Sequence, residues 1–203
     1  MLYRFLHFLA RIIMVVFFRW EVKGLNNVPK SGPLIIVSNH VSYADPVVVV
    51  AALNRPVHFM AKEELFHKPF LGWLIRKINA FPVKRGVADR GAIRQGIDLL
   101  NQGKVLGIFP EGGRREKVED AKQGAAFLAY KTGAPILPIA LTGTDKVLPK
   151  GAVLPRLARI RVNIGRPLAL PNQEGLDRKQ LISQFSERIM EEIIKLALEG
   201  KQS

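Results

Sequence analysis

Short runs of apolar, often β-branched residues alternate along this chain with stretches of helical periodicity, and this alternation constrains the fold more than any other feature. The runs at 33–38, 56–61, 80–83, 105–109, 136–141 and 160–164 have the length and composition of buried strands. Helical patterns occupy 45–53, 69–77, 88–102 and 122–132 between them. A last helix over 177–199 puts Leu181, Phe185, Ile189, Ile193 and Leu196 on one stripe, the spacing of plain core packing. Strands that alternate with helices predict an α/β domain with a mostly parallel or mixed sheet flanked by helices. A chain of 203 residues without repeat or linker has room for one such core. The expected organisation is one domain over 20–203 preceded by a helix over 1–19.

That first segment is apolar but interrupted. Arg4, His7 and Arg11 break it, and the longest charge-free stretch covers only 12–18, where a bilayer span takes roughly 20 apolar residues. Arg19, Trp20 and Glu21 follow at once, so a secretory cleavage site is not expected either. At about 100° per residue, Arg4, His7 and Arg11 share one side of a helix. Leu2, Phe5, Leu6, Leu9, Ile12, Ile13, Val16 and Phe17 cover the other. The pattern predicts an amphipathic helix lying in the membrane interface with its cations near the lipid headgroups; the alternative is a terminal helix packed on its own core or on a partner subunit. The expected location is peripheral or monotopic, on the cytoplasmic face of the cell membrane.

Charge narrows the partners. Lys and Arg number 31 against 17 Asp and Glu, a formal net charge of +14, which favours a phosphate-bearing partner: a membrane, a small substrate or nucleic acid. A basic binding module without turnover therefore stands as a rival to an enzyme. Against a nucleic-acid footprint, the arginines cluster at strand ends beside a carboxylate, and Tyr3, Tyr43 and Tyr130 are scattered along the chain. The chain has no cysteine, which excludes disulfides, zinc–thiolate sites and thiol nucleophiles together.

Chemistry concentrates at the ends of the expected strands. After the first comes Ser38-Asn39-His40-Val41-Ser42-Tyr43-Ala44-Asp45-Pro46. Histidine titrates near neutrality, and a carboxylate on one ring nitrogen fixes the tautomer that leaves the other free to take a proton, so His40 and Asp45 form a candidate general base. Asp45 as a mere helix cap and His40 as an ordinary surface residue is the plainer reading of such a pair. No G-x-S-x-G elbow supplies a serine nucleophile. His7, His58 and His67 have no metal-ligand spacing with His40, so neither a metal nor a cofactor is expected. Phe81-Pro82-Val83-Lys84-Arg85-Gly86 ends a strand in two cations, placed to meet an anion in the crevice at the sheet edge. Gly107-Ile108-Phe109-Pro110-Glu111-Gly112-Gly113-Arg114-Arg115 repeats that arrangement with a carboxylate, two glycines and two guanidinium groups. It lacks the Lys-[Ser/Thr] of a nucleotide-binding P-loop. Leu137-Pro138-Ile139 lies in a buried strand.

In this order the four segments resemble the phospholipid/glycerol acyltransferase family, and within it the 1-acylglycerol-3-phosphate acyltransferases. Asn39-His40-Val41-Ser42-Tyr43-Ala44-Asp45 is similar to the family's N-H-x-S-x-x-D block. Phe81 to Arg85 resembles its second block, Phe109 to Arg114 its F-P-E-G-T-R block, and Leu137-Pro138-Ile139 its fourth. Gly113 stands where the family usually has Thr. The resemblance implies transfer of an acyl group from acyl-CoA or acyl carrier protein to the free hydroxyl of a lysophospholipid acceptor, 1-acylglycerol-3-phosphate, forming phosphatidic acid. Glycerol-3-phosphate or another lysolipid is the alternative acceptor. On the same basis His40 is the base, Asp45 its orienting partner, and Arg85, Glu111, Gly112 and Arg114 hold the acceptor. The thioester is a substrate, and no nucleic acid takes part.

Overall fold

The computed structural model describes residues 2–84, 89–110, 118–147, 156–171 and 177–202. The chain begins with α1 (Leu2–Phe17), β1 (Glu21–Lys23), β2 (Leu34–Ser38), α2 (Asp45–Ala52) and β3 (Val57–Lys62). It continues through α3 (Pro69–Lys77), β4 (Ala80–Val83), α4 (Arg90–Asn101), β5 (Val105–Ile108) and α5 (Val118–Thr132). It closes with β6 (Ile136–Thr142), the short α6 (Thr144–Val147), β7 (Arg161–Ile164) and α7 (Arg178–Gln202). The six expected strands and the five expected helices after the terminal one all form, with shifts at the ends such as α5 starting at Val118. The three-residue β1 and the single-turn α6 are additions; neither is long enough to show a period in sequence.

The strands form one mixed sheet in the order β1-β7-β6-β2-β5-β3-β4. Every neighbouring pair is parallel except β6 with β7. β2 lies between β5 and β6, and all five of its residues are buried. Side chains of a strand alternate between faces, so a strand that is buried at every position needs a cover on both. Leu34 and Ile36 join one core with Val105, Leu137, Ile139 and the α2 valines. Ile35 and Val37 join the other with Leu106, Ile136, Leu128 and Phe185. α1 and α2 therefore cover one face and α4, α5 and α7 the opposite one. The α2 segment Pro46-Val47-Val48-Val49-Val50 is poor helix sequence by propensity; it is helical because it fills the layer between the sheet and α1, where Val48 to Ala52 are buried.

α1 leaves most of its expected apolar face exposed and turns part of its polar stripe toward the protein. His7 Nε2 bonds the Leu53 carbonyl at 2.8 Å, and Arg11 donates to Asn54 Oδ1 at 2.9 Å. Tyr3 Oη accepts the Val57 N–H. Two members of the polar stripe thus face the protein, while Met14 and Phe18 enter the core. The stripe expected to meet lipid headgroups is in part directed at the protein, the Leu53 carbonyl taking a bond from His7 and Asn54 Oδ1 one from Arg11. Apart from Arg4, what the helix leaves exposed is apolar: Phe5, Phe8, Leu9, Ile12, Ile13, Val15, Val16 and Phe17. Among the described residues no helix is long and apolar enough to cross a membrane.

His58, on β3, bonds the Val105 carbonyl through Nδ1 at 3.3 Å. Burial, aided by the Lys104 charge, pushes its pKa below the ordinary imidazole value, against the opposing pull of that bond. The unfolded chain therefore binds the proton more readily. Stability is unaffected where both states are neutral, and falls as pH drops through the unfolded imidazole pKa of about 6.5. Urea midpoints at pH 7.5 and pH 5 should differ more for the wild type than for His58→Gln. An equal pH dependence in the two would remove His58 from the account.

Candidate active site

β2, β5, β3, β4 and β6 run parallel, so their carboxyl ends lie along one edge of the sheet, where open α/β sheets bind ligands. β2 delivers Asn39 and His40 to that edge, β5 delivers Phe109 and Pro110, and β4 delivers Lys84. β2 and β5 are neighbours; β4 lies three strand spacings from β2, about 14 Å.

The loop between β2 and α2 is organised by one carboxylate oxygen. Asp45 Oδ2 accepts from His40 Nδ1 at 2.8 Å and from the Val41 and Ser42 N–H groups at 2.7 Å each. Asp45 is 0% exposed, and its Oδ1 has no partner among the described residues. Ala44, not Asp45, caps α2, and Asp45 is the first helical residue with Pro46 behind it. Asp45 thus reaches back out of its helix to gather the preceding loop, which a mere cap would not do. With Nδ1 donating to the carboxylate, Nε2 of His40 carries the free lone pair and bonds no described residue; the imidazole is 24% exposed. Ser42 is buried and its Oγ accepts the Ala44 N–H at 3.2 Å, closing a tight turn instead of facing His40.

Two further supports fix the imidazole. Asn39 Nδ2 donates to the Leu141 carbonyl at 2.9 Å while its Oδ1 accepts the Leu141 N–H at 2.8 Å. The side chain so continues the β2–β6 ladder beyond Ser38. Phe109 stacks on the His40 ring with centroids 4.5 Å apart, and Phe59 stacks on Phe109 at 5.6 Å. Phe59 has its place because β5 carries glycine at 107, where an added Cβ would strike the Phe59 ring. Sequence reading quoted Asn39 and Phe109 without assigning them these roles. A glycine inside a β-branched strand was the available signal for a close approach at Gly107.

Arg85, Glu111, Gly112 and Arg114 lie outside the described residues. Their flanks are placed: Lys84 at the end of β4, and Phe109 and Pro110 after β5, open onto the His40 edge. Asp89 Oδ2 accepts the Lys84 N–H at 2.9 Å and Oδ1 the Ala92 N–H at 3.0 Å, so the two ends of 85–88 are tied together. These two amides hold the Asp89 carboxyl below the usual carboxylate range.

A carboxylate-oriented histidine at the carboxyl edge of an α/β sheet is the arrangement expected of a base acting on a substrate hydroxyl. The sequence profile of the acyltransferase family matches residues 19–142, which contain the whole of this edge. The chain belongs to the acyltransferase family. It is 29% identical over 196 residues to the 1-acyl-sn-glycerol-3-phosphate acyltransferase of Bacillus subtilis (strain 168), covering 96% of each chain. It is 31% identical over 175 residues to the chloroplastic 1-acyl-sn-glycerol-3-phosphate acyltransferase BAT2 of Brassica napus, spanning 81% of this chain and 51% of that longer protein. The crystal structure of the 1-acyl-sn-glycerophosphate acyltransferase of Thermotoga maritima superposes with a TM-score of 0.80 at 26% identity, over 99% of this chain and 80% of that one. This acyltransferase shares that fold.

The stack from Gly107 through Phe59 and Phe109 to His40 has a measurable consequence. Gly107→Ala forces the buried Phe59 ring to move, an overpacking that should cost about 1–3 kcal/mol of unfolding free energy. The His40 ring resonances should shift with it while those of His7 stay in place. Unchanged His40 resonances in a folded Gly107→Ala protein would show that the stack does not reach the imidazole.

Proposed function

We propose that this acyltransferase moves a fatty acyl group from a thioester donor, acyl-CoA or acyl carrier protein, to the free hydroxyl of 1-acylglycerol-3-phosphate, forming phosphatidic acid. The observation that carries the reading is the His40–Asp45 pair, with Nε2 left open at the sheet edge of a chain similar along its length to enzymes of that name. Nε2 takes the proton of the acceptor hydroxyl as its oxygen attacks the thioester carbonyl. The buried Asp45 carboxylate stabilises the imidazolium that results. The tetrahedral intermediate collapses with cleavage of the C–S bond, and the imidazolium returns its proton to the departing thiolate. Transfer is direct, with no acyl-enzyme and no cofactor. Arg85, Glu111, Gly112 and Arg114 hold the acceptor's phosphate and glycerol, a positioning that removes several kcal/mol of barrier.

The acceptor is a lipid, and the exposed face of α1 supplies the means to meet it. Residues 1–19 anchor the domain of 20–203 peripherally on the cytoplasmic face of the membrane through apolar burial, with the +14 charge favouring anionic lipid. Val41 and Tyr43, exposed beside His40, supply an apolar lip at the mouth.

Two outcomes test this reading. With lysophosphatidate dispersed in detergent, His40→Ala should lower kcat by about 10² to 10⁴, and Asp45→Asn should follow it. The double substitution should be little worse than His40→Ala, since Asp45 acts through the imidazole. Ser42→Ala should keep most of the rate. A trapped acyl-enzyme, or a Ser42→Ala enzyme without turnover beside an active His40→Ala, would replace direct transfer by a serine nucleophile.

For the anchor, Met14 and Phe18 belong to the core, so substitution tests it more cleanly than truncation. Changing Phe5, Phe8, Ile12 and Val16 to Ser removes side chains each worth roughly 1.5–3 kcal/mol on full burial. The variant should leave neutral vesicles on sedimentation while its urea midpoint stays near the wild type's. Continued sedimentation would place the anchor elsewhere.

A further inference from the structure

The face of the sheet opposite α1 carries a feature that the chemistry at His40 does not use. A shallow groove between α4 and α5 is lined by Arg90, Ile93, Arg94, Ile97 and Phe127. Its floor is apolar, built from the half-buried Ile93, Ile97 and Phe127. Arg90 and Arg94, exposed and one helical turn apart, form the rim on α4. On α5 the Lys131 ammonium lies 5.9 Å from the centre of the Phe127 ring. Neither arginine has an ion-pair partner among the described residues. Of the carboxylates on this helix, Asp89 is occupied by the Lys84 and Ala92 N–H groups, and Asp98 lies one turn beyond Arg94.

We propose that this groove docks the acyl donor as a small acidic carrier protein, an acidic helix of which sets carboxylates against Arg90, Arg94 and Lys131 and an apolar side chain on the floor between them. The inference rests on the acyl-transfer reading and deepens it by naming the donor. An apolar strip rimmed by cations suits an amphipathic helix of opposite charge. Position supports the same occupant. α4 and α5 belong to the core on the far side of the sheet from α1, so with the apolar face of α1 against lipid this groove faces water. α4 begins at the edge where β4 ends, the edge that also carries His40, so a thioester tethered to a docked carrier enters the crevice from the aqueous side. The lipid acceptor arrives from the other.

The test uses the full chain in mild detergent with lysophosphatidate, comparing wild type with Arg90→Glu/Arg94→Glu and with Arg90→Lys/Arg94→Lys. Binding of acyl carrier protein is measured by titration, and transfer is followed with acyl carrier protein and acyl-CoA separately. The charge-reversed protein should lose about tenfold or more in affinity for the carrier protein and in kcat/KM with it, while kcat/KM with acyl-CoA stays within about twofold. The lysine variant should stay near the wild type, and added salt should weaken wild-type binding. A wild type that neither binds nor uses the carrier protein overturns the proposal, as does an unchanged charge-reversed variant or an equal loss with both donors. Carrier binding that the reversal abolishes, in a protein that acylates lysophosphatidate from no donor, supports the docking surface and sinks the acceptor instead.

Discussion

Two-sided burial of β2 is the constraint from which the rest of the molecule follows. Its five residues have no solvent-facing side, so helices must cover both faces, and right-handed crossovers deliver them there with the strands parallel. Parallel strands end together. That is why segments far apart in the chain, after β2, β4 and β5, open onto one edge, and why polar side chains unable to enter the layers collect there. The two cores are apolar and closely packed; the edge is where the fold has polar atoms to spare.

At that edge a single oxygen substitutes for missing secondary structure. Between Ser38 and α2 the backbone N–H groups of Val41 and Ser42 have no strand or helix to bond, and Asp45 Oδ2 takes both together with His40 Nδ1. A buried carboxylate without donors would be costly, and orphaned amides would be too; each resolves the other. The same bonds that make the loop fold also orient the imidazole, so local stability and the proposed chemistry are one structure. Asn39 and Phe109 extend it, one through the backbone of β6 and one through ring contact, and tie the imidazole to the neighbouring strands on either side of β2.

The two faces of the sheet divide the surface as well as the core. α1 spends polar side chains inward on the end of α2 and leaves apolar ones outside, an inversion of the usual surface helix. α4 has the ordinary polarity, with its arginines outward. One flank is therefore greasy and the other basic, and the edge between them belongs to both.

Strand positions, the alternation of layers and the His40–Asp45 spacing were legible in the sequence because each is local: a burial pattern of period two, a helical period, and a loop short enough that His40 and Asp45 meet within it. β1 escaped notice because its three residues exist as a strand only through pairing with β7, far along the chain. The helical wheel of α1 was readable, but not which side would be buried. That depended on the Leu53 carbonyl, Asn54 and the Val57 N–H being free at the same height as His7, Arg11 and Tyr3. The support of His40 by Phe109, and of Phe109 by a Phe59 that needs glycine at 107, likewise required three strands in register. The sequence by itself determined that His40 and Asp45 meet in one short loop and which layers flank them, since hydrophobic period and short loops are properties of neighbours. Only the tertiary structure decided which faces look outward and what holds the imidazole still, since those depend on contacts between residues that the chain brings together from a distance.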